Sequence, residues 1–300
     1  PAAPPANKKV TATRGRRVII TAPSPKAPSP CRAIVGYNHA EVKKVRAPLD
    51  LVQCLPAPIT KDMTQQPMRQ ADLVVATGSQ NNIRAAYASG TPAFGVGAGN
   101  VASIIDLSAD LHEAARKIAS SKTFDNATSC SSENSVVILD AVYDAALAAL
   151  MQAGGVLLSV PEKSQLQGTL WPNGKLDSAV TAQSAPRTAA LAHLSGAQFE
   201  QARFLMAEET GIGADYPYSG EKLSPVLTVY RARDFDHACE LVNALYAYQG
   251  AGHSVGIHTA DDAHVLRLGQ ELPVCRVIVN QAHCFATGGS FENGLPFSLS

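Results

Sequence analysis

Along the first hundred residues, short β-branched or apolar runs alternate with segments whose apolar positions recur at helical spacing, and turn residues close each run. The runs at 18–21, 51–55, 72–77 and 92–96 predict strands. Between them, 31–46, 60–70 and 82–89 predict helices. Further on, Leu111, Ala114, Ala115 and Ile118 fall on one helical face behind Asp110, an N-cap type of residue, and predict a helix over 110–121. Strands are expected at 135–139, 204–206, 223–230, 253–259 and 276–280. Helices are expected at 141–152, 234–248 and 261–272, and helices with loops over 161–193. Strands alternating with helices at these lengths imply βαβ units and a parallel sheet, an α/β fold whose ligands bind at the carboxyl ends of the strands.

Two strand ends carry possible chemistry. Thr77-Gly78-Ser79 follows D-L-V-V-A and precedes a helix, so its amides and hydroxyls suit a pyrophosphate at a helix N-terminus, or form an ordinary strand-to-helix cap. Gly95-Val96-Gly97-Ala98-Gly99 lacks the G-x-G-x-x-G spacing, which disfavours a standard Rossmann site.

With 46% apolar and 17% charged residues, 300 residues suffice for two domains with a sizeable core. A formal net charge of zero argues against a general nucleic-acid or membrane-surface role, and no run reaches transmembrane length. The six cysteines, at 31, 54, 130, 239, 275 and 284, form no C-x-x-C pair, and the eight histidines no helical H-x-x-x-H pair. Neither a metal site nor a disulfide framework is signalled, and a reducing compartment fits.

The residue with the most chemical promise is Cys130, in the run K-T-F-D-N-A-T-S-C-S-S-E-N at 122–134. Thr128, Ser129, Ser131 and Ser132 give it a polar setting, whereas an inert core cysteine is more often flanked by apolar residues. A thiol becomes a nucleophile as thiolate, which helix N-termini or cations favour. A buried structural cysteine is the competing account.

This run resembles the nucleophile segment of the aldehyde dehydrogenase superfamily, in its CoA-acylating branch. The likeness extends in family order through A-P-S-P-K-A, V-V-A-T-G-S-Q, G-V-G-A-G-N, E-K-L-S-P-V-L and G-H-S-V-G-I-H-T. It implies an incomplete NAD(P)-binding domain over 1–100, a catalytic domain over 101–293 and the start of a return segment over 294–300. Cys130 is then the nucleophile, facing a cleft between domains. The resemblance gives cofactor contacts to Ser24, Lys26, Thr77, Gly78, Ser79, Gly95 and Gly97. It gives the nicotinamide ribose to Glu221, and coenzyme A enters as co-substrate. Ala22-Pro23-Ser24-Pro25 departs from the family's K-P-x-E and leaves NAD or NADP open.

His253 and His283, expected at strand ends, could move a proton to or from CoA, or hold structural or surface places. Hydrolytic relatives use a glutamate where this chain has G-V-G-A-G-N, without a carboxylate, so thioester formation is favoured over a carboxylate product. The resemblance implies a small aldehyde, sulfoacetaldehyde or acetaldehyde, and a cytoplasmic dimer or tetramer when complete. It also implies that the chain starts mid-domain and stops before the family's glycine-rich tail. The family's oxyanion Asn would fall immediately before Pro1, and loss of one such donor costs about 10²–10³ in rate. A hydrolytic dehydrogenase and a non-catalytic nucleotide-binding or assembly fragment are the alternatives.

Overall fold

The structure, a computed structural model, describes residues 19–21, 28–56, 58–78, 80–97 and 99–289, without the side chains of 28–31. The chain divides into two units, Pro1–Val96 and Gly97–Ser300.

In the first unit the order is β1 (Ile19–Thr21), α1 (Pro28–Lys44), β2 (Val52–Cys54), α2 (Lys61–Gln70), β3 (Val74–Thr77), α3 (Gln80–Tyr87) and β4 (Ala93–Val96). β1 pairs with β2, and β3 with β4, both in parallel. The Thr60 hydroxyl starts α2 by accepting the Met63 N–H at 3.2 Å. Val74 and Ala76 of β3 point into a small core with Ile83 and Ala86 of α3, so burial alternates along β3 as a one-sided strand requires.

The second unit runs β5 (Val101–Ile105), α4 (Leu111–Thr123), β6 (Glu133–Leu139), α5 (Tyr143–Gln152), β7 (Gly155–Leu157) and α6 (Val160–Leu170). It continues through α7 (Ala185–Leu191), α8 (Ala197–Glu200), β8 (Phe204–Glu208), β9 (Val226–Ala232) and α9 (Phe235–Tyr248). It ends with β10 (Ser254–His258), α10 (Asp262–Glu271), β11 (Arg276–Val279) and α11 (His283–Gly288). Seven strands form one parallel sheet in the order β11-β10-β5-β6-β9-β8-β7.

Helices cover both faces, so every residue of β5 and β6 is buried. The pleat still sorts their side chains. Val136 and Ile138 face a layer holding Ile118, Ala146 and Leu150 of α4 and α5, while Val137 and Leu139 face Val242 and Leu245 of α9. Side-chain caps set the helix starts: Asp110 accepts from Glu113 N, Asp234 from His237 N, and Ser159 forms a capping box with Glu162.

The strands and helices expected from the sequence are present, with ends moved by a few residues. The pattern did not announce β5, β7, α8 or α11. β7 and α8 are only three and four residues long. Among the described residues no helix is long and apolar enough to cross a membrane.

Candidate active site around Cys130

Cys130 lies three residues before β6 begins, after a sharp change of direction at the end of α4. Asp125, Asn126 and Ala127 take φ values of 46°, 53° and 59°, three consecutive residues in the left-handed region. Aspartate and asparagine tolerate this region when their short polar side chains bond locally. Here Asp125 Oδ1 accepts from Thr128 N at 3.1 Å, and Asn126 Nδ2 donates to Ala182 O at 3.0 Å. The D-N-A sequence thus turns the chain and delivers Cys130 half-buried, between Ser129 and Ser131, whose hydroxyls lie 2.8 Å apart.

Four loops meet here. A Cβ added to Gly99 would stand 2.2 Å from the Cys130 carbonyl oxygen, so the two backbones touch. The Gly99 amide donates to the Glu221 carboxylate. Gln249 Oε1 accepts from Glu221 N at 3.1 Å, and a Cβ on Gly250 would come within 2.7 Å of Asn100. Asn100 Nδ2 donates to Ser219 O at 2.8 Å, and Asn134 Oδ1 accepts from Lys222 N at 3.0 Å.

These loops immediately precede β5, β6, β9 and β10, which are contiguous and parallel in the sheet. The cluster therefore sits at the amino edge. The carboxyl-end expectation was drawn from the strands of the first hundred residues; in this second unit the chemistry-bearing residues gather where the strands begin.

Buried charge surrounds the nucleophile loop. Lys122 and Lys222 are fully buried. Lys122 Nζ donates to Glu133 O at 2.8 Å, and Lys222 Nζ to Tyr218 O at 2.7 Å and Gly220 O at 2.9 Å. Burial pulls Lys122 down to about 8, and it pulls Lys222 well below the ordinary lysine value, with Lys122 adding repulsion. Burial also raises the carboxyls of Glu133 and Glu221 to about 7 each. Lys122, Glu133 and Glu221, whose values are moved to between about 7 and about 8, make the loops around this thiol a candidate functional site.

No protein-family model matches the chain. It is 62% identical over 300 residues to an acylating sulfoacetaldehyde dehydrogenase of Cupriavidus necator, covering 100% of this chain and 61% of that protein. Along its whole length the chain is similar to acylating aldehyde dehydrogenases. It is 36% identical to an acetylating succinate-semialdehyde dehydrogenase of Clostridium kluyveri, over 98% of this chain and 64% of that one. An acetylating aldehyde dehydrogenase from Geobacillus thermoglucosidasius has the same fold, with a TM-score of 0.87 at 32% identity over 91% of this chain and 60% of that chain. The chain spans about three fifths of the curated relatives it matches.

The remaining candidates fall as follows. Thr77 ends β3 and Gly78 follows with φ +107°, before α3 opens at Gln80. Ser24, Lys26 and Ser79 lie outside the described residues. Gly95, within β4, has a packing reason to be glycine, since a Cβ would meet Ile83 at 2.6 Å and Tyr87 at 2.9 Å. Gly97 opens the second unit.

The two histidines are joined. His253 Nδ1 and His283 Nε2 each lie 2.7 Å from Ser254 Oγ. The strand-end placing needs correction for His283, which opens α11 and is buried against β6, its amide reaching Glu133 Oε1 at 3.4 Å. His253 does precede β10, at its amino end. Sequence reading missed Lys122, Glu133, Lys222, Ser254 and Gln249 as members of this cluster. Four of the five stand in the quoted runs, Lys122 and Glu133 in 122–134, Lys222 in E-K-L-S-P-V-L and Ser254 in G-H-S-V-G-I-H-T, and only Gln249 lies outside them.

Two predictions follow from this packing. Gly99→Ala should lower stability by about 1–3 kcal/mol in urea unfolding, because rigid backbone must move. Gly168→Ala in α6 has open space around its Cβ and should be neutral or stabilising. Equal midpoints for Gly99→Ala and the parent would remove the close contact.

Glu133 supplies the second prediction. Its folded pKa, about 7, stands above its ordinary 4.5, so its contribution to stability is fully present below about 4.5 and is lost as pH rises through 7. The stability difference between the parent and Glu133→Gln should therefore turn against the parent across that window. A difference that stays flat from pH 4 to 8 would show that Glu133 ionises freely.

Proposed function

We propose that the complete protein is an NAD(P)-dependent, CoA-acylating aldehyde dehydrogenase that oxidises sulfoacetaldehyde, or a similarly small aldehyde such as acetaldehyde, to its acyl-CoA. The observation that carries this reading is the likeness along the whole chain to an acylating sulfoacetaldehyde dehydrogenase. Two further relatives named for sulfoacetaldehyde, at 39% and 38% identity, favour that aldehyde. A cytoplasmic homo-oligomer, dimer or tetramer, completes the proposal on family resemblance.

The residues fit a dinucleotide cofactor. The turn at Thr77 and Gly78 leads into the N-terminus of α3, a setting suited to pyrophosphate. Gly97, with no side chain, allows close approach, and Gly95 with Ser24, Lys26 and Ser79 joins this set by resemblance. The half-buried Glu221 carboxylate can accept two ribose hydroxyls. When bound, the cofactor supplies the hydride acceptor.

Cys130 as thiolate adds to the aldehyde carbon. Departure of that carbon's hydrogen as hydride, and of the hydroxyl proton, leaves an acyl thioester on the Cys130 sulfur. The acyl acceptor then decides the product. Residues 97–100 carry no carboxylate, and Glu133 is fully buried. A thiol is far more acidic than water and a stronger nucleophile, so the CoA thiol needs less help from a base. His253, half-buried and lowered by burial below the ordinary imidazole value, is neutral and suited to accept the thiol proton. Hydrolysis is the competing reading, and its support is Glu221, whose carboxyl near 7 could take a proton from water.

In the full-length protein, Cys130→Ala should abolish cofactor reduction by aldehyde, while Cys54→Ala and Cys239→Ala should retain it. Turnover should require CoA and yield acyl-CoA. Steady formation of free carboxylate without CoA, with oxygen from labelled water, would replace this reading by the hydrolytic one.

Glu221 separates the same alternatives. Glu221→Gln should slow single-turnover hydride transfer, by up to about 10²-fold if the nicotinamide shifts by about an ångström. A normal hydride rate with loss of acyl release would instead make Glu221 the base.

A further inference from the structure

The geometry points to Ser254 and His283 as positioning residues that set whether His253 Nε2 keeps its lone pair for the proton of the incoming acceptor thiol. This rests on the acylating reading. Ser254 is fully buried and its Oγ lies 2.7 Å from both His253 Nδ1 and His283 Nε2. A hydroxyl has one hydrogen, so it donates to one imidazole and accepts from the other. When His253 Nδ1–H donates to Ser254 and the Ser254 hydroxyl donates to His283 Nε2, His253 Nε2 is an acceptor. In the reverse order His253 Nε2 carries the hydrogen and cannot serve as a base. Two neutral imidazoles on one hydroxyl therefore tie the chemistry of His253 to the ring of His283.

Further contacts hold this arrangement. His283 is 1% exposed, and its amide reaches Glu133 Oε1. Tyr246 OH, from α9, donates to Ser254 O at 2.6 Å, and the Cys275 thiol donates to His253 O at 2.6 Å. Both rings face the positive charge of Arg276 at the start of β11, and His283 also faces His258. Burial with these neighbours lowers His283 to about 3, which keeps it neutral as a partner for the serine.

His253 Nε2 is buried and has no hydrogen-bond partner among the described residues. The 249–253 loop that carries it packs Gly250 on Asn100, next to the Gly99 that touches Cys130. The strands β10 and β6 are separated only by β5, about 10 Å between axes at a spacing of about 4.8 Å.

In the proposed step the acceptor S–H bond breaks and its proton goes to His253 Nε2. The thiolate forms the new C–S bond as the Cys130 C–S bond breaks. Cys130 leaves as thiolate, and the proton on His253 returns to it or to solvent. The Nδ1–H stays on Ser254 Oγ throughout, so His283 is never required to take a charge.

The test uses the full-length protein and separates its two half-reactions. In Ser254→Ala the burst of reduced cofactor without CoA should stay within about twofold of the parent. Acyl transfer to CoA should fall about tenfold to a hundredfold, within what a positioned base contributes. The pH profile of transfer should change shape, and Ser254→Thr, which keeps the hydroxyl, should recover it. An acceptor thiol with a pKa below 7 in place of CoA needs no base, so the deficit should vanish with it.

Equal loss with every thiol, an unchanged pH profile, or a burst that falls in step with transfer would make Ser254 a packing residue and overturn the inference. His283→Gln serves as an independent check. It should reproduce the thiol-dependent deficit, and parent-like transfer to CoA in a folded His283→Gln would also overturn the inference. If the unaltered protein makes no acyl-CoA at all, the acylating reading fails and this inference fails with it.

Discussion

Gly99 and the Cys130 carbonyl meet with no room for a side chain between them. That single approach fixes how the other loops of the edge are arranged. Because Gly99 bears on the nucleophile loop, its amide is directed to the Glu221 carboxylate, and its neighbour Asn100 is left to meet Gly250 and Ser219. Glycine is required at 99 by shape, and at 250 both by shape and by a φ of +93°. A β-carbon at either place would push apart loops that also carry Cys130, Glu221 and His253.

A parallel sheet covered by helices on both faces has nowhere to hide unpaired polar backbone except at its two edges. In this unit the amino edge is buried, so its carbonyls cannot rely on water. Lysine ammoniums take that place, Lys122 on the Glu133 carbonyl and Lys222 on those of Tyr218 and Gly220. Burying an ammonium is costly, and the lowered pKa of each lysine records the cost. The raised carboxyls of Glu133 and Glu221 record the same environment from the acidic side. Structure and chemistry are thus coupled: Lys122, which closes the edge on the Glu133 carbonyl, is moved toward neutral pH together with the Glu133 and Glu221 carboxyls.

The legible parts of this chain were those with a local signal. Helices α4, α9 and α10 were readable because an aspartate cap stands directly before an apolar period, and each cap is made in the structure. β5 was not read, since V-A-S-I-I follows a glycine-rich run with no turn between them and carries a serine at its centre. Cys130, Glu221 and the Thr77-Gly78 turn were singled out through short motifs, and Cys130 and Glu221 both fall in the cluster at the amino edge of the second unit. The remainder of the site depends on pairs such as Ser254 with His283, Lys222 with Asn134 and Asn100 with Ser219, at sequence separations of 29, 88 and 119. No periodicity or spacing encodes such pairs. They exist because β10, β5, β6 and β9 start on the same edge, which only the strand order reveals.

The proton acceptors near Cys130 are ranked by access and by prior engagement. Glu133 has a raised pKa but is fully buried, with one oxygen turned to the His283 amide, so a bulky acceptor cannot reach it. Glu221 is half-buried, but it holds the Gly99 amide, and drawing it into proton transfer would disturb the contact that seats the nucleophile loop. His283 is sealed inside, with a pKa of about 3, too low for it to hold a proton at neutral pH. His253 differs from all three: it is anchored through Nδ1 on the Ser254 hydroxyl, and its Nε2, though buried, is unengaged among the described residues. A neutral imidazole is a weak activator of water, whose pKa near 15.7 lies far above its own, and is better matched to a thiol, which is far more acidic than water. At this edge the one carboxylate that is not fully buried, Glu221, is already engaged by the Gly99 amide, while His253 keeps one ring nitrogen without a partner among the described residues.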